Sequence, residues 1–225
     1  MRRQTKPSHK AVIGVFDSGI GGKSVANAIQ AALPDDQVIF ASDTTHVPYG
    51  TKTPEEILGY VVPILNQLVA QGCEVIVIAC NTVSTTLITQ LRAKIPVPLI
   101  GMEPMVKPAA EQTRSKTIAV FATPTTLASK RYSWLKHTYA HGIEVLEPDC
   151  SDWSHMIETN QVDRNKIYEV TRQVCSRGAD VIVLGCTHYH WIEEMIQEAA
   201  ADRATILQPE RPVIAQLCRV LEQQT

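Results

Sequence analysis

Short apolar runs alternate with longer amphipathic segments along almost the whole chain. The runs are rich in Val and Ile and show little of the alternation between apolar and polar residues that marks a strand with one wet face. Such strands lie in parallel sheets that helices cover on both faces, so we predict an α/β fold with mainly parallel sheets. Pro63 predicts a kink or break in the second helix. The predicted strands are residues 12–16, 38–41, 75–79, 97–100, 118–122, 143–146, 181–184 and 205–207, and the predicted helices are 23–33, 53–71, 84–94, 125–140, 164–177 and 190–201.

The sequence also repeats itself. IGVFDS at residues 13–18 resembles IAVFAT at 118–123, and VIVIACNT at 75–82 resembles VIVLGCTH at 181–188. Both pairs have nearly the same separation, which predicts two similar α/β units related by a pseudo-twofold axis, with the active site in the cleft between them. We assign residues 11–100 together with 204–225 to the first unit and residues 101–203 to the second. Residues 1–10 carry a basic cluster and are predicted to be a disordered leader.

Composition argues against several classes of protein. Hydrophobic residues make up 44% of the 225 residues and the formal net charge is -2, so we expect a packed core and no general attraction to nucleic acid or to a membrane surface. The chain has no apolar run long enough for a signal peptide or a membrane span, and we predict a cytoplasmic protein. Its six cysteines include no Cys-x-x-Cys pair, and its histidines lack metal-ligand spacing. Without a P-loop or a dinucleotide fingerprint, the sequence favours a protein with no metal and no cofactor.

Cys80 and Cys186 each follow a predicted buried strand, one in each unit. Ligands of parallel α/β sheets bind beyond the carboxyl ends of the strands, so both thiols are expected at the edge of a site. Two thiols on opposite sides of one carbon suit racemisation, in which a thiolate removes a proton and a thiol returns one to the other face. Asp17 and His188 lie where they could assist the two thiols. The alternatives are that the cysteines are buried apolar residues and that Asp17 only caps a helix.

The segment FDSGIGG, residues 16–22, follows the first strand. It lacks the spacing of a dinucleotide-binding loop. We expect its glycines to form a tight turn that exposes backbone N–H groups to a small anion such as a carboxylate.

Four motifs in order resemble those of the glutamate racemase family, within the aspartate/glutamate racemase superfamily. They are GVFDSGIGG at residues 14–22, PYG at 48–50, ACNT at 79–82 and GCTHY at 185–189. The resemblance covers nearly the whole chain. It implies two α/β domains with a cleft between them, and a homodimer that uses no cofactor. It also implies two-base interconversion of L- and D-glutamate that supplies peptidoglycan synthesis.

The resemblance further implies roles for individual residues. Cys80 and Cys186 would be the acid/base groups, assisted by Asp17 and His188 respectively. The thirteen implied site residues are completed by substrate contacts: Ser18, Tyr49, Gly50, Asn81, Thr82, Thr123, Thr126, Glu158 and Thr187. The alternative interpretations are turn formation for Tyr49 and Gly50, helix capping for Thr123 and Thr126, and an ordinary solvated side chain for Glu158.

The chain departs from the family pattern in three places, one of which is Thr45-His46-Val47 before the Pro-Tyr-Gly motif. The stretch between Glu158 and Gly178 is short, and Gln208-Pro209-Glu210 replaces the usual Asp-x-Ala near the last strand. These departures keep other hypotheses open. One is a racemase of another amino acid such as aspartate, one is a lyase or decarboxylase that uses a single thiol, and one is a non-catalytic glutamate-binding descendant.

Overall fold

The computed structural model describes residues 10–224, which form two four-stranded parallel sheets. The strands are β1 Val12–Asp17, β2 Gln37–Ser42, β3 Val75–Ile78, β4 Leu99–Gly101, β5 Thr117–Ala122, β6 Glu144–Leu146, β7 Val181–Gly185 and β8 Thr205–Leu207. The first sheet has the order β2-β1-β3-β4, and the second has the matching order β6-β5-β7-β8. The predicted α/β fold of two similar units is therefore confirmed.

Helices connect the strands of both sheets. They are α1 Lys23–Ala32, α2 Pro54–Ala70, α3 Asn81–Arg92, α4 Val106–Gln112, α5 Pro124–Ala128, α6 Lys130–Tyr139, α7 Trp153–Glu158, α8 Arg164–Ser176, α9 Glu193–Ala200 and α10 Glu210–Gln224. Short 3-10 helices cover Tyr49–Thr51, Thr187–Ile192 and Ala201–Arg203. Among residues 10–224, no helix is long and apolar enough to span a membrane.

The central strands are buried on both faces, which explains why their sequences do not alternate. In β3, Ile76 and Ile78 belong to one hydrophobic cluster, and Val75 and Val77 belong to another on the opposite face. All four side chains are fully buried. Successive side chains of a strand point to opposite faces, so two helical layers require an apolar residue at every position.

The last strand differs from the prediction. Residues 204–225 were assigned to the first unit, but β8 pairs in parallel with β7 in the second sheet, so the assignment of this strand is wrong. The helix that follows packs on the first unit, where Val213 and Leu217 of α10 join the cluster formed by β1, β3 and α1. The chain therefore crosses back between the units after Leu207. The predicted leader, apart from Lys10, lies outside the described residues.

Two predicted helices also differ. Helix α2 continues without a break through Pro63, which is exposed, as is Gly59 four residues earlier. The carbonyl group that Pro63 leaves without its helical partner can therefore bind water. The helix predicted at 125–140 is instead two helices, α5 and α6, because the Ser129 hydroxyl caps the second by accepting from the Tyr132 N–H at 3.1 Å.

Candidate active site

The ends of four central strands meet at one cleft between the two units. In the first unit, β1 ends at Asp17 and β3 leads through Ala79 into Cys80. In the second, β5 leads into Thr123 and β7 leads into Cys186. Each unit therefore brings one thiol and one oxygen-bearing side chain to the carboxyl edge of its sheet, where ligands of parallel sheets bind.

Both units line a small, tightly closed cavity of about 10 Å³. Among the predicted site residues, only Asp17, Thr126 and Glu158 are not part of its wall, and each hydrogen-bonds a residue that is. The lining residues are Ser18, Val47, Pro48, Tyr49, Gly50, Cys80, Asn81, Thr82, Thr123, Ser154, Cys186, Thr187 and His188. The structure thus brings together the residues that the motifs place far apart in sequence.

Cys80 lies in negatively charged surroundings. Its side chain is buried at the start of α3, and its Sγ lies 3.4 Å from the Ser18 hydroxyl. Burial and the nearby Asp17 carboxylate raise the pKa of the Cys80 thiol to about 12, although the Ser18 hydrogen bond acts in the opposite direction. Cys80 is therefore protonated at neutral pH in these surroundings.

Cys186 has a positively charged neighbour instead. Its Sγ lies 3.7 Å from Nδ1 of His188, whose Nε2 lies 2.5 Å from the Glu158 carboxylate. Burial alone would lower the pKa of His188, but the hydrogen bonds to Cys186 and Glu158 outweigh it and raise that pKa well above its ordinary value. The imidazole is therefore protonated at neutral pH and places a positive charge beside the Cys186 sulfur.

Glu158 holds this arrangement together across the two units. The pKa of its carboxyl would be raised by burial, but hydrogen bonds from His188 and from the backbone N–H of Ile20 lower it below the ordinary value. The Ile20 N–H donates to Glu158 at 2.9 Å. The carboxylate of the second unit therefore binds both the histidine beside Cys186 and the glycine-rich turn of the first unit.

Three N–H groups of the glycine-rich turn bind carboxylates of the protein itself, whereas the prediction was that the turn exposes its amides to a small anion. The N–H groups of Gly19 and Gly22 donate to the Asp17 carboxylate at 3.3 and 2.8 Å, and that of Ile20 donates to Glu158. The turn thus satisfies two carboxylates of the protein itself. A side chain at Gly19 would displace the Glu158 carboxylate, since a Cβ there would lie 2.0 Å from Oε1 of Glu158. Asp17 does not cap α1, whose first turn has no side-chain cap hydrogen bond; its carboxylate binds the turn that leads into the helix.

Three threonine hydroxyls form a hydrogen-bonded triangle that joins the two units. Oγ1 of Thr82 lies 3.0 Å from Oγ1 of Thr123 and 3.3 Å from that of Thr126, and the latter two are 3.0 Å apart. Thr123 also caps α5 by accepting from the Thr126 N–H. Next to the triangle, both polar atoms of the Asn81 side chain are buried and have no hydrogen-bond partner among the described residues. A buried amide of this kind calls for a polar ligand.

The Pro-Tyr-Gly segment forms another part of the wall. The Val47–Pro48 peptide bond is cis. The Tyr49 hydroxyl donates to the Asp43 carboxylate at 2.6 Å, and burial together with this carboxylate raises the tyrosine pKa far above its ordinary range. Tyr49 is therefore a neutral side chain held in place by Asp43. Gly50 packs directly against Thr123 of the second unit, where a Cβ would lie 3.0 Å from the threonine Cβ.

The sequence interpretation missed four residues of this region. Val47, Pro48 and Ser154 line the cavity, and Asp43 holds Tyr49 from behind. Pro48 stands inside a motif that was noticed, whereas Ser154 and Asp43 belong to no motif and to neither half of the repeat. Among residues 10–224, no three His, Cys, Asp or Glu side chains are grouped so that they could hold a metal ion.

The match to a protein-family model gives the general class to which the protein belongs. Residues 22–215 match the family model described as Asp/Glu/Hydantoin racemase. Together with the two-unit fold and the paired thiols, this match makes the protein an isomerase of the amino-acid racemase type.

Matches to individual relatives show which racemases this chain resembles. The glutamate racemase of Ralstonia nicotianae is 38% identical over 216 residues, which cover 94% of this chain and 78% of that protein. Two solved structures also match: Escherichia coli glutamate racemase with L-glutamate and the activator UDP-MurNAc-ala, and Francisella tularensis glutamate racemase with D-glutamate. The first has a TM-score of 0.83 and 26% identity and covers 95% of this chain and 83% of that one. The second has a TM-score of 0.78 and 29% identity, with 96% and 82% covered. The chain therefore belongs to the glutamate racemases within the Asp/Glu/Hydantoin racemase family.

Proposed function

We propose that the protein interconverts L- and D-glutamate by moving protons between the substrate α-carbon and two thiols, Cys80 and Cys186. The observation that carries the proposal is the pair of buried thiols at equivalent strand ends, one from each unit, in the wall of one cavity. A thiolate on one side removes the α-proton, and the thiol on the other side donates its proton to the opposite face of the carbanion. The two sulfurs end with exchanged protonation states, so the reverse reaction uses them in opposite roles.

The charged groups near the two thiols support these acid and base roles. His188 carries a positive charge beside Cys186, which stabilises a thiolate there. Cys80 has the Asp17 carboxylate nearby and needs a compensating positive charge before it can lose its proton. We propose that the substrate ammonium group, bound near Asp17 and Ser18, supplies that charge. Substrate binding would then prepare Cys80 for its role as a base.

The hydroxyl and amide groups beside the thiols suit the substrate carboxylate. Asn81 offers an amide without a partner among the described residues, and Thr82 and Thr123 offer hydroxyls on either side of the cleft. Removal of an α-proton spreads negative charge onto the α-carboxylate. Fixed donors aimed at that developing charge stabilise the carbanion more than the substrate, which accelerates the reaction.

The choice of glutamate rests on the relatives. The Escherichia coli structure was determined with L-glutamate and the Francisella tularensis structure with D-glutamate, so similar proteins bind both enantiomers. We further propose that the reaction takes place in the cytoplasm and that its product supplies peptidoglycan synthesis.

We also propose a homodimer. Trp134 and Trp191 are 45% and 53% exposed, and exposed aromatic side chains are enriched at protein interfaces. Sedimentation velocity at micromolar concentration should give twice the chain mass of 24.8 kDa, whereas a species of 24.8 kDa would contradict the proposal.

A chirality assay tests the proposed reaction. Purified protein is incubated with L-glutamate without added cofactor, and the circular dichroism of the amino acid is followed to equilibrium. We expect the signal to fall to zero, and Cys80→Ser or Cys186→Ser to abolish the change. Full activity in either variant would contradict the two-thiol mechanism. Racemisation of aspartate but not glutamate would keep the mechanism and change the substrate, and binding of glutamate without turnover would favour the non-catalytic alternative.

A further inference from the structure

We infer that Ser154 is a positioning residue for Cys186, the counterpart in the second unit of Ser18 at Cys80. This inference rests on the proposed racemisation and adds a residue to it. Oγ of Ser154 lies 3.5 Å from the Cys186 Sγ, and Oγ of Ser18 lies 3.4 Å from the Cys80 Sγ. Both serines are 5% exposed and both line the cavity. Each thiol thus has one serine hydroxyl as a neighbour.

The two serines come from different elements, so the internal repeat does not reveal the pair. Ser18 follows β1, and the corresponding residue after β5 is Thr123, which joins the threonine triangle instead. Ser154 belongs to α7, which follows β6. The second unit therefore provides a hydroxyl to its thiol from a helix rather than from a strand end.

Two residues on the same face of helix α7 contact Cys186 and its neighbouring histidine. Ser154 and Glu158 are four residues apart, and residues at this spacing lie on the same side of a helix. Ser154 contacts the thiol, and Glu158 contacts the histidine beside it. Trp153 is fully buried and packs edge-on against Phe121 and Tyr189, with ring centroids 5.2 and 5.3 Å apart. The helix, and with it the serine, therefore has a fixed place relative to Cys186.

The hydroxyl can serve both protonation states of the thiol. When Cys186 is a thiol, its S–H donates to Ser154. When Cys186 is a thiolate, the serine O–H rotates and donates to the sulfur. A sulfur that must act as both acid and base thus keeps a partner in each state.

Alkylation of the individual cysteines tests the inference without any turnover. The folded protein is treated with iodoacetamide at pH 7 without substrate, and the labelled peptides are quantified by mass spectrometry over time. Because the thiolate is the reacting species, Ser154→Ala should slow the alkylation of Cys186 about tenfold and leave that of Cys80 within about twofold. Ser18→Ala should do the reverse, and Ser154→Thr, which keeps the hydroxyl, should react like the wild type.

Racemisation provides the second readout. Ser154→Ala should lower kcat/KM for glutamate about tenfold, mainly through kcat, with recovery in Ser154→Thr. Unchanged or faster labelling of Cys186 in Ser154→Ala, or equal changes at both cysteines, would overturn the inference. If the wild type does not racemise glutamate, the proposed function fails, yet the labelling still shows whether Ser154 acts on Cys186.

Discussion

Replacement of Glu158 by glutamine examines how Cys186 is activated. The amide keeps the shape of the side chain and can still accept from the Ile20 N–H, but it carries no charge. Without the carboxylate, His188 loses one of the two hydrogen bonds that raise its pKa against the effect of burial, so the positive charge beside Cys186 is weakened. We therefore expect Glu158→Gln to impair proton transfer at Cys186 while leaving the cavity wall in place.

The magnitude follows from the distance between Cys186 Sγ and His188 Nδ1, which is 3.7 Å. Two unit charges at this separation attract by about 4 kcal/mol at an effective dielectric constant of about 20. Since about 1.4 kcal/mol corresponds to a tenfold change in rate, complete loss of the charge would cost nearly three orders of magnitude. A neutral imidazole still donates a hydrogen bond to the sulfur, so we expect kcat/KM to fall about 100-fold, with KM nearly unchanged.

Initial rates with L- and D-glutamate, followed by circular dichroism, measure this effect. Glu210→Gln is a matched control, because Glu210 also pairs with a buried histidine, His190, at 3.2 Å, but neither residue lines the cavity. The control should lose stability and keep kcat/KM within about twofold. A fall of less than about threefold in Glu158→Gln, or an equal fall in both variants, would refute the role assigned to the His188 charge.

Three further perturbations have defined outcomes. Thr82→Val removes one corner of the threonine triangle and should lower kcat/KM about tenfold in the same assay; wild-type rates would show that the triangle is only structural. Gly19→Ala places a Cβ 2.0 Å from Glu158 Oε1 and should cost about 1–3 kcal/mol in urea unfolding, whereas Gly59→Ala, with nothing within 4 Å, should not destabilise; equal stability of the two would contradict the steric argument. The His190 hydrogen bond lowers the Glu210 pKa, so Glu210 stabilises the fold above its unfolded pKa of about 4.3 and loses this effect as pH falls through the folded pKa. The stability gap between wild type and Glu210→Gln should therefore close on acidification, and a constant gap would be inconsistent with this linkage.

The fold was largely predictable because strands that are buried on both faces are apolar at nearly every position, and this pattern is visible in the sequence. The apolar runs at 75–79 and 181–184 predicted the central strands β3 and β7, and the repeat predicted two units with matching sheets. The sheet to which β8 belongs was not predictable, since a strand of three residues with two apolar side chains fits either sheet equally well. The kink or break predicted at Pro63 was wrong. A helix accepts a proline on its exposed face, and the sequence alone did not show that Pro63 lies on that face.

The candidate site was predictable where it follows strand ends or motifs. Cys80 and Cys186 could be placed from the strands alone, and most of the other wall residues from the resemblance. Ser154 was missed because it reaches the thiol from a helix that no periodicity marks. The partners of the glycine-rich turn were also missed, since only the folded chain brings Glu158 to the Ile20 N–H.

The origin of the hydrogen on the product tests the two-thiol account most directly. L-glutamate is incubated with the protein in D2O, and the mixture is quenched early, while most of the substrate remains. Nuclear magnetic resonance and mass spectrometry then give the deuterium content at the α-carbon of each enantiomer. The account predicts that nearly all D-glutamate carries deuterium, because its hydrogen comes from a second thiol that exchanges with solvent, while the remaining L-glutamate keeps protium. Early D-glutamate that retains the substrate hydrogen would show that one group serves both faces, and would contradict the assignment of one thiol to each.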